Sequence, residues 1–182
     1  MIIWIASYPK SGNTWVRSFL SAYYFSDDGK FNFELLKKIK QFPNKEFFDI
    51  KLENVDEASK NWLIAQKKIK EKNQTIFLKT HNIYGAYKGN SFTSEEFTAG
   101  AIYIVRDPRN VVTSLANHLG ISLDEAAKKM IELFKFGGDL NLTKADRTLV
   151  YMGTWSGNYN SWKSFKDQKR YLLIKYEDLI NN

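Results

Sequence analysis

Three short stretches of this sequence combine residue types that grip phosphate or move a proton. The first, Ser7-Tyr8-Pro9-Lys10-Ser11-Gly12-Asn13-Thr14-Trp15, links an apolar β-type run to a helical pattern. A strand-to-helix turn aims backbone N–H groups and the positive end of a helix at an anion, and Gly12 lets such a backbone come close. Lys10 adds charge, and Ser11 and Thr14 add hydroxyl donors. The order is not that of G-x-x-x-x-G-K-[ST], because Lys10 precedes Gly12, so ATP hydrolysis is disfavoured. The second stretch, Arg106-Asp107-Pro108-Arg109-Asn110-Val111-Val112-Thr113-Ser114, sets a guanidinium between the end of an apolar run and a helix start. There it offers phosphate a planar fork beside a helix N-terminus; pairing of Arg106 with Asp107 is the purely structural alternative. The third is Lys79-Thr80-His81.

The chain holds two histidines, so a histidine general base is His81 or His118. Neutral imidazole suits proton removal near neutral pH. Lys79-Thr80-His81 directly follows the apolar run from Thr75 to Leu78, at the strand edge where catalytic groups of open α/β sheets gather. His118 lies well inside a helical pattern and reads as structural.

Four apolar runs of β-type composition must position these groups: Ile2 to Ala6, Thr75 to Leu78, Ala101 to Val105 and Tyr171 to Ile174. Each suits a strand buried on both faces. Helical patterns lie between them, over Thr14 to Tyr24, Val55 to Glu71, Pro108 to Leu119, Leu123 to Phe136 and Arg147 to Phe165. That alternation predicts an α/β fold: a central parallel sheet with crossover helices. Asp107-Pro108 and the Ser122/Glu125 spacing mark two helix starts. Met130, Leu133 and Phe134 read as core, as do Trp155 and Trp162. Gly85 to Phe97 reads as a loop with room for a short helix.

A 182-residue chain that is 43% hydrophobic can bury one sizeable core, so a single domain over 1–182 is expected. No apolar run reaches about 18 residues, and the first strand begins directly after Met1, which leaves no room for a signal peptide. A location in the cytoplasm, away from membranes, is the expectation. Absence of cysteine excludes disulfides and thiolate chemistry. The net charge of +7 favours anionic partners, with a phosphorylated nucleotide and nucleic acid both admissible. The lysines at 37, 38, 40, 67, 68, 70 and 72 read as solvated helix faces. No Asp/Glu/His spacing predicts a metal.

Taken together, the motifs resemble the sulfotransferase family that uses 3′-phosphoadenosine 5′-phosphosulfate (PAPS). The Tyr8-to-Trp15 loop is similar to its 5′-phosphosulfate segment, Y-P-K-S-G-T-T-W, departing at Asn13; Arg106 and Ser114 stand where that family binds the 3′-phosphate. Lys79-Thr80-His81 matches its K-T-H, Gly153-Thr154-Trp155 its G-x-W, and Tyr176-Glu177-Asp178-Leu179 its Y-E-D-[LM]. The resemblance implies a P-loop-like three-layer α/β/α fold and in-line transfer of a sulfuryl group to a hydroxyl or amine. It implies His81 as general base, Lys10 at the bridging oxygen of the leaving 5′-phosphate and Lys79 at the sulfuryl oxygens. Lys10, Ser11, Gly12, Asn13 and Thr14 would hold the 5′ side, Trp15 would stack on adenine, and Tyr176 would approach the nucleotide. The product is adenosine 3′,5′-bisphosphate (PAP), and no metal is required. Family members continue past the position of Asn182 into a further 3′-phosphate segment, which this sequence lacks. A PAP-binding module without transfer activity is therefore a second reading; a P-loop kinase and a nucleic-acid binder are others. Phe47, Phe48, Tyr84, Tyr87 and Phe92 fall in segments that border the family's acceptor pocket, so an apolar or aromatic alcohol is one acceptor class and carbohydrate another, with ordinary core packing the alternative reading of each ring.

Overall fold

A run such as Ile2-Ile3-Trp4-Ile5-Ala6 is apolar at both parities, and a strand of that kind needs cover on both faces. The computed structural model, which describes residues 1–50, 52, 54–132, 150–165 and 170–181, supplies that cover. In chain order the elements are β1 (Ile2–Ser7), α1 (Asn13–Phe25), α2 (Val55–Glu71), β2 (Ile76–Thr80), β3 (Ala86–Tyr87), β4 (Asn90–Ser91), β5 (Thr98–Val105), α3 (Pro108–Leu119), α4 (Leu123–Ile131), α5 (Trp155–Lys163), β6 (Tyr171–Lys175) and α6 (Tyr176–Asn181). Short 3₁₀ turns span Phe33–Lys38 and Lys45–Phe47.

The main sheet has four strands in the order β2-β1-β5-β6, and every pair is parallel. Successive side chains of a strand point to opposite faces. Ile2, Trp4, Ala6, Leu78, Ala101 and Tyr103 pack on one face against Trp62, Ala65 and Ile69 of α2 and Trp162 of α5. Ile5 and Ile104 pack on the other face with Val16 of α1 and Ile39. The result is the expected α/β architecture, with helices on both sides of a parallel sheet. Trp4 is fully buried, and its indole N–H donates to Thr98 Oγ1 at 3.1 Å. Trp162, also fully buried, donates to the Asn82 carbonyl at 2.8 Å.

Three expectations need correction. The stretch from Gly85 to Phe97 carries the hairpin β3/β4 rather than a short helix. Its turn residues Lys88 and Gly89 have φ of 49° and 81°, the positive values that a two-residue hairpin turn demands. Second, α5 starts at Trp155, well after Arg147. Gly153 turns the chain at φ 65°, and Thr154 Oγ1 accepts from Gly157 N at 2.9 Å as an N-cap. Third, α4 ends at Ile131 because Glu132 is extended. Residues 133–136 and 147–149 of the expected helices, with Leu133 and Phe134, lie outside the described residues.

From β1 the neighbouring strands run one to each side, β2 and β5, so the connections diverge there. Ligands of open α/β sheets bind at the carboxyl ends of strands beside such a switch point. Ser7, the last residue of β1, opens onto that edge.

Candidate active site

The turn after β1 is built for close packing. Lys10 and Gly12 take positive φ, 65° and 94°. A Cβ at Gly12 would overlap the ring of Tyr176, so glycine is required here both by the left-handed backbone and by an aromatic neighbour. α1 then begins with no side-chain cap and no acid in its first turn. Its first N–H groups are therefore available to an anion. Asn13 turns inward, where Nδ2 donates to the Ile5 carbonyl at 3.0 Å and to Ser7 Oγ at 3.1 Å. The position that departs from the family pattern thus fastens the loop to β1. Ser11 is buried rather than lining the cavity, and its Oγ has no partner.

Arg106 follows β5 and reaches across to the loop. One terminal nitrogen donates to the Lys10 carbonyl at 3.1 Å, the guanidinium lies 4.4 Å from the centre of the Tyr176 ring, and Nε is buried without a partner. Asp107 is not its partner. The Asp107 carboxylate is taken by Arg109 at 2.5 Å and by the backbone N–H of Arg109 at 2.9 Å, which together hold it at about 2. Glu177 Oε1 accepts from Asp107 N at 3.0 Å. The Tyr-Glu-Asp stretch therefore works as a clamp: Tyr176 covers Arg106, and Glu177 fixes the turn behind it.

His81 follows β2 and faces the end of β1. Its Nδ1 lies 2.7 Å from the Ser7 carbonyl oxygen, which can only accept. Nδ1 therefore carries the hydrogen and Nε2 is left with its lone pair. Burial, with the Lys79 charge adding to it, pushes the imidazole down to about 3, so it is neutral at physiological pH. Asn158 secures the same turn from below. Its Nδ2 donates to the His81 carbonyl at 3.0 Å and to the Met152 carbonyl at 2.9 Å, while Oδ1 accepts from Tyr103 Oη at 2.9 Å. Lys79 donates to Gln41 Oε1 at 2.9 Å. Burial, and secondarily the Arg17 charge, lowers it to about 8.

Lys10, Gly12, Asn13, Thr14, Trp15, Lys79, His81, Arg106, Ser114 and Tyr176 line one cavity of about 720 Å³, within the range of small-molecule sites. Of the residues expected at the nucleotide and the transfer step, Ser11 alone is absent from its wall. An orphaned donor at Arg106, three cations and an uncapped helix start fit a phosphorylated nucleotide. Sequence reasoning missed Gln41, Asn158 and the cavity-lining His118. For His118 the signal was present, since it stands four residues after Ser114 on the same face of α3. The five candidate pocket aromatics lie elsewhere: Phe92 is fully buried, and Phe47, Phe48, Tyr84 and Tyr87 pack against the same core. Among the described residues, no three His, Asp or Glu side chains gather as a metal site would need, and no helix is long and apolar enough to cross a membrane.

The sulfotransferase domain family matches residues 2–182. Among solved structures, a mouse sulfotransferase, SULT7A1, complexed with PAP is similar over 100% of this chain and 53% of its own, with a TM-score of 0.57 and 20% identity. Retinol dehydratase complexed with retinol and PAP is similar over 100% and 56%, with a TM-score of 0.55 and 15% identity. A second structure of that enzyme, with androsterone and inactive cofactor PAP, gives 100% and 55%, 0.56 and 14%. At these identities the likeness is one of fold, and the chain spans about half the length of these structures. No curated protein sequence matches the chain.

Proposed function

The chain belongs to the sulfotransferase domain family, and from that premise we propose that it transfers the sulfuryl group of PAPS to a hydroxyl or amine acceptor. One observation carries the reading: the phosphate-loop lysine, the Lys79/His81 pair and Arg106 with Ser114 converge on a single cavity from three separate parts of the chain. The PAP complexes of the structural neighbours support PAPS as donor.

In this reading the loop and the start of α1 hold the 5′-phosphosulfate, Arg106 and Ser114 hold the 3′-phosphate, and Trp15, about half exposed at the cavity wall, stacks on adenine. His81 Nε2 takes the acceptor's proton as the acceptor oxygen or nitrogen bonds to sulfur. The bond from sulfur to the 5′-phosphate oxygen breaks in line, and PAP leaves with that bond's electron pair. Lys10 stabilises the charge on that oxygen, and Lys79 stabilises the sulfuryl oxygens. Leu115, Leu119, Val150 and Met152 form an apolar part of the wall, and the retinol and androsterone bound by the neighbours support an acceptor with an apolar body.

Labelled PAPS incubated with a panel of phenols, alcohols, amines and sugars tests the proposal. Transfer to at least one class is expected, falling by about 10²- to 10⁴-fold in His81→Ala, as expected on removal of a general base, with PAP binding retained. Binding of PAP without transfer to any acceptor would contradict it and favour a binding module.

A further inference from the structure

Lys79 stands on the outermost strand of the sheet, β2, and the segment before Phe42 runs along its open edge. Lys79 N donates to the Lys40 carbonyl at 2.9 Å, and Phe42 N donates to the Lys79 carbonyl at 2.8 Å. These bonds pair Gln41 with Lys79 in parallel register, and paired residues of a ladder project on the same face. Ile39 is fully buried in the core on the α1 side, and Phe42 is fully buried in the core on the α2 side. The side chains on both sides of Gln41 are thus anchored, and the strap cannot slip by one residue without exposing both. Arg17 of α1 ties it down a third time, with one terminal nitrogen donating to the Leu36 and Ile39 carbonyls at 2.9 and 2.7 Å.

On this fastened strap Gln41 lines the cavity and accepts from Lys79 Nζ at 2.9 Å. An ammonium only donates, so the amide oxygen must face it, and the Gln41 NH₂ group keeps its donors for other partners. A carboxylate in the same place would cancel the Lys79 charge; an apolar side chain would leave a half-buried ammonium without an acceptor. Glutamine holds the ammonium and leaves its charge in place.

We propose that Gln41 is a positioning residue of the transfer site, which holds Lys79 as a charged donor directed at the sulfuryl group of the donor nucleotide. This rests on the reading of the cavity as a PAPS site. The proposal predicts that Gln41 matters to PAPS, which carries the sulfuryl group, and not to PAP, which lacks it.

Calorimetric titration of the full chain with PAP and with PAPS tests this in wild type, Gln41→Leu and the isosteric Gln41→Glu. In Gln41→Leu the affinity for PAPS should fall by about tenfold, the scale of one hydrogen bond to a charged group, with PAP affinity held within about twofold. Acylation of Lys79 by acetic anhydride, read by mass spectrometry as a function of pH, gives a second readout. Its wild-type midpoint should lie at about 8, lower in Gln41→Leu and higher in Gln41→Glu. Equal losses for PAP and PAPS would assign the strap a merely structural role and overturn the proposal, as would a Lys79 midpoint unmoved in both variants. Failure of the wild type to bind either nucleotide would instead sink the donor-site reading, and the Lys79 titration would still decide whether Gln41 holds it.

Discussion

At the scale of single residues, the site pairs an imidazole kept neutral with an ammonium that titrates close to neutrality. His81 is depressed to about 3 and Lys79 to about 8, so the imidazole is neutral and the ammonium charged at physiological pH, the states that the proposed transfer requires. The affinity for PAPS, followed by calorimetry against pH, should therefore fall as pH rises through about 8 and Lys79 loses its proton. His81 should also mark stability. Its folded value lies below the ordinary 6.5, so between 6.5 and about 3 the unfolded chain binds a proton that the folded chain refuses. Urea unfolding should become easier as pH falls through that window, and His81→Asn should flatten the slope there. Types and chain positions of Lys10, Lys79, His81 and Arg106 were legible in the sequence because each stands in a motif next to a strand. Gln41 and Asn158 were not, since their partnerships join residues 38 and 77 positions apart and only the fold creates them.

Elements explain why these side chains hold still. The start of α1, the turn after β5 and the start of α6 meet at Gly12, Arg106 and Tyr176, and no one of the three is packed without the others. Gly12→Ala forces a left-handed φ on a residue with a Cβ and drives that Cβ into Tyr176. It should cost about 1–3 kcal/mol of stability and reduce PAP affinity, both measurable by thermal unfolding with and without PAP. Adding Tyr176→Ala should recover part of the stability, by removing the overlap but not the backbone strain. Strands and long helices were legible in the apolar periodicity, but the apolar run stops at Leu78, two residues short of the end of β2, because Lys79 and Thr80 are polar. Lys79 alternates onto the cavity side while Thr80 is buried, so the first two residues of the motif sit on the strand itself and His81 follows its end. The hairpin β3/β4 was missed because its strands are two residues each, too short for a period-2 pattern. The strap at residues 36–42 was missed because a single bridge carries no periodicity at all.

For the molecule as a whole, a parallel sheet whose strand order reverses at β1 gathers loops from distant parts of the chain at one edge. The family match and the fold of the PAP-bound structures agree with that arrangement, over a chain about half as long as those structures. The net charge of +7 is compatible with a nucleotide and with nucleic acid alike, and only binding selectivity separates them. Calorimetric titration with PAP, beside ATP with and without magnesium, in wild type, Lys10→Ala and Arg106→Ala therefore tests the central claim most directly. Selective binding of PAP over ATP, lost by about tenfold or more in each variant as expected for a charged phosphate contact, is the predicted result. Binding that favours ATP with magnesium, that survives both substitutions, or that is absent altogether would contradict the assignment of this cavity to PAPS.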